Sequence, residues 1–235
     1  HLTALIGPNA SGKSTLFRVI AGLLTPVAGT VTLADTDLAT LPLRTRLGRV
    51  CFMPQFFAAN AALTVFDVVM MARKNLSGWR VTPEDTEAVG EALYNARIGH
   101  LSEANISELS GGQAQMVSVA QALIRQADVY LFDEPTSALD LHHQLAVLGR
   151  VRDTIAARGA IGIVALHDLN LAARFADHLI LLNHGQVVAQ GAPRAVLQKP
   201  EIAQTYGVDI HITTGPKEDL VDHADASYLC LVAGG

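Results

Sequence analysis

Leu2-Thr3-Ala4-Leu5-Ile6-Gly7-Pro8-Asn9-Ala10-Ser11-Gly12-Lys13-Ser14-Thr15 opens the chain with an apolar run, a glycine-bounded loop and a lysine followed by two hydroxyls. The run Leu2–Ile6 reads as a strand. The stretch from Lys13 to about Leu23 reads as a helix that stops near Thr25-Pro26, where proline cannot continue it. Between them Gly7–Thr15 fits G-x-x-x-x-G-K-[ST], in the strand–loop–helix setting that this pattern requires. Such a loop turns backbone N–H groups onto phosphate oxygens at a helix N-terminus. Lys13 then reaches the β and γ phosphates, the Ser14 hydroxyl binds Mg2+, and Thr15 adds a phosphate contact. Gly7, Pro8, Asn9, Ala10, Ser11, Gly12, Lys13, Ser14 and Thr15 are the expected phosphate-binding residues.

Working outward, Thr30–Leu33 and Arg49–Met53 read as further strands, with a short helix or loop over Leu38–Leu47. From Phe56 to Ala120 strand patterning gives way to candidate helices at Val65–Arg73, Pro83–Arg97 and Gly112–Arg125. The middle one starts cleanly: Thr82 suits the N-cap, Pro83 the first helical position, and Glu84, Asp85 and Glu87 complement the dipole. In the last one Met116, Val119, Ala120, Leu123 and Ile124 recur on one apolar face. Val129–Phe132 and Ala160–Leu166 are continuous apolar runs, as in parallel strands buried on both sides, with a helix at about Leu141–Ala157 between them. Leu179–Leu182, His184-Gly185 and Val187–Ala189 read as a hairpin. The class is α/β, with a mainly parallel sheet.

Leu109-Ser110-Gly111-Gly112-Gln113 opens an apolar-faced helix, so its backbone donors and the Ser110 hydroxyl form a second helix-terminal anion site. Asp133 and Glu134 end a buried strand that Pro135 stops, and a carboxylate at the carboxyl end of a parallel strand lies on the edge where α/β sheets bind ligands. His167 follows Ile161–Leu166 in the same way, which predicts Gly7, Asp133 and His167 on one edge. His142, His143, His178 and His184 lack convergent ligand spacing and read as surface or turn residues.

The 235 residues carry 17 Lys+Arg against 22 Asp+Glu, a net charge of −5, and no basic block, which disfavours a nucleic-acid partner. With 50% hydrophobic and only 17% charged residues, an apolar docking face is plausible. Cys51 and Cys230 are far apart, which excludes a disulfide framework and a cysteine zinc site and points to a reducing, cytosolic compartment. No apolar stretch approaches the ~18 residues of a membrane span, and the start lacks the pattern of a signal peptide. Because His1 leads straight into a strand, further sequence upstream is expected.

Taken in order, Gly7–Thr15, Gln55, Leu109–Gln113, Val129–Glu134, Ser137–Asp140 and His167 resemble the ATP-binding subunit of an ABC transporter over nearly the whole chain. The resemblance implies one domain, 1–235. It would comprise a RecA-like P-loop core (1–55 and 121–215) with a partial antiparallel β subdomain, a helical signature subdomain (56–120) and a tail (216–235) without a counterpart. It implies ATP and Mg2+ as ligands, and a homodimer that sandwiches two ATP molecules head to tail. Ser110, Gly111, Gly112 and Gln113 would close on the γ-phosphate held by the partner, with Asp140 in a loop crossing the interface. Glu134 is the implied general base, His167 the γ-phosphate contact, and Gln55 a contact to Mg2+ and the lytic water. Asp133 is the Mg2+ carboxylate, beside Ser14. An adenine-stacking aromatic is implied upstream. Ala10, Ala114 and Met116 depart from the wider family's pattern and are expected to be tolerated.

The 53 residues between Gln55 and Leu109 are too few for a long coiled coil, and a single motif set argues against a twin cassette. The run His167–Asp177, with Met53-Pro54-Gln55, Gly191-Ala192-Pro193 and Tyr206-Gly207-Val208, is similar to the importer branch for iron siderophores, haem and vitamin B12. That branch implies a cytoplasmic subunit, peripheral on the inner face of the cell membrane, driving separate permease subunits and, indirectly, a substrate-binding protein. A zinc or manganese importer and a nucleotide-gated module without transport are the competing readings. Phe56, Phe57, Phe66, Val69 and Met70, just beyond Gln55, are a candidate permease-docking surface.

Overall fold

A computed structural model of the chain describes residues 1–55, 62–74, 78, 80–214 and 229–234. The order of elements is β1 (Leu2–Ile6), α1 (Lys13–Ile20), β2 (Thr32–Leu33), β3 (Thr36–Asp37), α2 (Leu43–Arg49), β4 (Val50–Met53), α3 (Val65–Lys74), α4 (Pro83–Asn95), α5 (Gly111–Ile124), β5 (Val129–Asp133), α6 (Leu141–Arg158), β6 (Ile161–Ala165), α7 (Leu169–Phe175), β7 (His178–Asn183), β8 (Gln186–Gly191), α8 (Pro193–Leu197), α9 (Pro200–Tyr206), β9 (Asp209–Thr214) and β10 (Leu229–Gly234).

Six strands form one sheet in the order β4-β5-β6-β1-β7-β8. All neighbours are parallel except β7 and β8, which pair as the expected hairpin around His184-Gly185. Both turn residues have positive φ, the twist a two-residue hairpin needs. Side chains along the central strands alternate between two covered faces. Tyr130 and Phe132 join Leu2, Ala4 and Ile6 on the face covered by α5 and α6, whereas Val129 and Leu131 join Leu5 and Phe17 on the other face. That double covering is why these strands read as unbroken apolar runs. Gly162 in β6 has no side chain because a Cβ there would stand 2.8 Å from Leu2 Cδ1 and 3.1 Å from Ile155 Cγ1.

Several boundaries differ from the sequence reading for local reasons. The first helix ends at Ile20, because Gly22 turns left-handed (φ 72°) and Leu23 N–H closes on Arg18 O at 2.8 Å. The expected strand Thr30–Leu33 is a two-residue arm of a hairpin whose turn, Ala34-Asp35, has positive φ at both residues without the usual glycine or asparagine signal. Leu38–Leu47 resolves into a 3-10 turn at Leu38–Thr40 followed by α2. Within the expected buried strand Ala160–Leu166, Ile161 is 44% exposed, at the strand's entry. α5 is more than amphipathic: every residue from Gln115 to Ala120 is buried, because α3, α4, α6 and β4 surround it. β10, in the stretch assigned to a tail, pairs antiparallel with β9 from Leu229↔Thr214 to Gly234↔Asp209.

The acidic start of α4 holds the helical subdomain together. Thr82 and Asp85 form a reciprocal capping box with Pro83 in the first turn. Asp85 also accepts from Lys74 Nζ at 2.8 Å and Arg73 Nε at 3.1 Å, which ties α4 to the end of α3. The Lys74 ammonium foremost, with the Thr82 N–H and the Arg73 guanidinium, holds the Asp85 pKa down to about 2 from an ordinary 3.8. A depressed carboxyl pKa stabilises the fold above its unfolded value, and that stabilisation is lost as pH falls toward the folded one. Asp85→Asn should therefore melt several degrees below the parent at pH 7, with the gap narrowing between pH 4 and pH 2, as thermal denaturation by circular dichroism would record.

Candidate functional site

The loop after β1 is closed by close approach. Gly7 has φ 150°, and a Cβ there would lie 2.1 Å from the Leu182 carbonyl oxygen, so only glycine fits. Ser11 N–H bonds Pro8 O at 3.2 Å, and Gly185 N–H bonds Ser11 O at 2.9 Å, which anchors the loop to the β7–β8 turn. Ala10 is left-handed (φ 61°), a conformation costing roughly 1–2 kcal/mol for a residue with a Cβ. Lys13 is buried and folds back over the loop, donating from Nζ to Gly7 O at 2.7 Å and Pro8 O at 3.1 Å. Burial pushes its pKa down, opposed by the charges of Glu134 and Asp133.

Parallel pairing brings the strand ends together. Asp133 at the end of β5 is 3% exposed, with the Ser14 hydroxyl near its carboxyl group, and its Oδ1 is buried without a hydrogen-bond partner. Burial raises its pKa; the Ser14 hydroxyl opposes that, the Glu134 charge adds to it, and Lys13 and Arg18 counter it. Glu134 turns out of the strand with φ 54°. Its Oε2 accepts from Gln55 Nε2 at 2.5 Å, just after β4, and its Oε1 is hydrogen-bonded to His167 Nε2, just after β6. Three strand ends thus hold one carboxylate between an amide and an imidazole, next to the phosphate-binding loop. The backbone carbonyl of Glu134 accepts from Gln115 Nε2 at 3.0 Å, a contact that the sequence motifs do not include. The available signal was a glutamine inside an apolar helix.

The expected second anion site, Ser110–Gln113, is held by contacts of its own. Ser110 Oγ accepts from Gln113 N–H at 3.3 Å and Gln113 Oε1 from Ser110 N–H at 2.9 Å, a capping box that opens α5. A Cβ on Gly112 would come within 3.2 Å of Ala138 O, so this helix start packs on the loop that leads to Asp140. Asp140 caps α6, accepting from His143 N–H at 2.9 Å and pairing with His143 Nδ1 at 2.8 Å, contacts that lower its pKa. Gly7–Thr15, Gln55, Asp133, Glu134 and His167 therefore share the sheet edge, and Ser110, Gly112, Gln113 and Asp140 line one surface pocket. Of the expected docking surface, Phe56 and Phe57 lie outside the described residues. Val69 and Met70 are core residues, 0% and 7% exposed, because α3 turns that face into the helical subdomain, which removes them as docking residues.

A buried carboxylate with an orphaned oxygen is a destabilising feature kept for a ligand. Among the described residues no cluster of three His, Cys, Asp or Glu side chains could hold a metal alone. The Asp133 carboxyl, with its unpartnered Oδ1 and the neighbouring Ser14 hydroxyl, nevertheless suits a hard cation that takes most of its oxygens from phosphate and water. Asp133→Asn should remove the desolvated charge and raise the melting temperature of the ligand-free chain by about 2–4 °C per kcal/mol relieved, as differential scanning calorimetry would record.

The family model described as ABC transporter matches residues 1–137. The chain is 38% identical over 216 residues to the cobalamin import ATP-binding protein BtuD of Halobacterium salinarum, a match covering 92% of this chain and 54% of that protein. The chain thus spans about half the length of that curated relative. It is also 38% identical over 222 residues to the hemin import ATP-binding protein HmuV of Pseudomonas entomophila, covering 92% of this chain and 86% of the relative. A dimeric ATP-binding cassette in a post-hydrolysis state, bound to ADP and Pi, superposes with a TM-score of 0.76 at 28% identity, over 82% of this chain and 85% of the other. On these matches the chain belongs to the ABC transporter family.

Proposed function

We propose that the chain is the ATP-hydrolysing subunit of an ABC importer, dimerising around two Mg-ATP to power uptake of an iron-siderophore, haem or cobalamin-type chelate through a separate membrane permease. The observation that carries the ATPase reading is the Glu134 carboxylate, hydrogen-bonded to Gln55 and His167 at the edge that also bears Lys13. The triphosphate lies along the backbone N–H groups of residues 7–13. Lys13 exchanges the Gly7 and Pro8 carbonyls for β and γ phosphate oxygens. Glu134 accepts a proton from the attacking water, His167 touches the γ-phosphate, and Gln55 keeps the water aligned with the leaving group. Asp133, Ser14 and Gln55 form the donor set for Mg2+, which supplies neutralisation of phosphate charge when bound.

Ser110, Gly111, Gly112 and Gln113 complete the other copy's site. The dimeric form of the related cassette supports a head-to-tail pair in which Asp140 lies at the interface. The domain division follows the same logic: 1–55 and 121–215 bind nucleotide, 56–120 carries the signature, and 216–235 has no assigned role. The cobalamin and hemin named in the two relatives support a metal chelate as cargo. Among the described residues no helix is long and apolar enough to cross a membrane, in keeping with a peripheral subunit on the inner face of the cell membrane, served by permease subunits.

Glu134→Gln should lower ATP turnover by about 10²–10⁴-fold, the worth of a positioned general base. In light scattering it should shift from monomer to dimer on addition of Mg-ATP. Turnover close to that of the parent, or a mass that ignores nucleotide, would sink the two-site reading.

A further inference from the structure

Gln115 is a polar side chain in an otherwise apolar part of α5, 7% exposed, and its Nε2 donates to the backbone carbonyl of Glu134 at 3.0 Å. Gln113, two residues earlier, faces the other way, since its side-chain oxygen accepts from Ser110 N–H and so serves the outer end of the helix. A buried glutamine needs a partner, and here that partner is the peptide oxygen of the base.

The peptide concerned is an unusual one. Glu134 has φ 54°, a left-handed conformation that a glutamate adopts only where its surroundings hold it. Its carbonyl also accepts from the Ser137 backbone N–H at 3.3 Å and Oγ at 3.2 Å, both from the turn that follows it. Gln115 is the donor that reaches it from another subdomain, at the shortest of the three distances. The carboxylate end of Glu134 is held by Gln55 and His167 from the sheet, and its backbone end by α5.

We propose that Gln115 is a positioning residue for Glu134, holding the left-handed peptide from which the carboxylate is aimed. The helix that presents Ser110–Gln113 to the partner's nucleotide is thereby the helix that holds the chain's own base. The inference rests on the ATPase reading above and deepens it. When the N-terminus of α5 engages a γ-phosphate across the dimer, any shift of the helix reaches Glu134 in the opposite site through one hydrogen bond. Nucleotide capture at one site and hydrolysis at the other are thus mechanically linked.

The test compares the full chain with Gln115→Met, which keeps the side-chain volume and removes the donor. For an effect made only in the transition state, kcat should fall at least about tenfold while the KM for ATP moves less than about twofold. In the Glu134→Gln background the ATP-dependent dimer should still form. There Gln115→Met should leave the residual single-turnover rate within about twofold, since an effect exerted through the base cannot be lost twice. A kcat within twofold of the parent overturns the proposal, as does a further tenfold loss in the Glu134→Gln background. If Gln115→Met does not fold, Gln115→Glu, similar in size but with an acceptor facing the carbonyl, is held to the same outcomes. A parent chain that neither hydrolyses ATP nor dimerises would overturn the ATPase reading and this inference together. A parent that does both, with the variant at parental rates, overturns this inference alone.

Discussion

Parallel pairing of β4, β5, β6 and β1 is the constraint on which the rest of the structure depends. In the register Met53↔Phe132, Asp133↔Ala165 and Leu5↔Ala165, the carboxyl ends of four strands finish along one edge. Gln55, Glu134, His167 and the Gly7–Thr15 loop each begin within two residues of such an end. Their convergence is a property of strand direction, and no single contact among them could produce it. The pairing in turn depends on burial of both faces, which is why Tyr130 and Phe132 on one side and Val129 and Leu131 on the other are all nearly inaccessible.

Onto this edge the chain places features that disfavour its own stability. Lys13 and Asp133 are buried charges, Asp133 keeps an unpartnered oxygen, and Ala10 and Glu134 hold left-handed backbone. Under the proposed function, these are the features of a site built for a polyanionic ligand rather than for the empty fold. The Lys13 ammonium lying on the Gly7 and Pro8 carbonyls is the clearest instance: two neutral oxygens occupy the donor that phosphate would claim.

The helical subdomain supplies what the sheet cannot. α5 passes through the middle of α3, α4 and α6, with its N-terminus on the surface beside Ala138–Asp140 and its next turn against Glu134. One element therefore links the exposed Ser110–Gln113 turn to the backbone of Glu134. Its anchorage is polar at both ends of the neighbouring pair, through the Thr82–Asp85 box with Lys74 and Arg73, and through the Ser110–Gln113 box.

Sequence by itself determined the α/β class, the phosphate-binding loop, the starts of α4 and α5, and Glu134 and His167 as strand-end residues, because each is written in local periodicity, capping or spacing. It misplaced what depends on neighbours. The end of α1 was set by the conformation of Gly22, the β2–β3 turn by Ala34-Asp35 without a glycine, and Val69 and Met70 were withdrawn from the surface by α3 packing. Only the tertiary structure decided that Gln55 and His167 grip the same carboxylate, that Gly112 packs on Ala138, and that Gln115 is bonded to Glu134. The physical reason is that strand order and helix docking join distant positions, 79 apart at Gln55–Glu134 and 175 apart at Leu2–Asp177, separations across which no local pattern carries information.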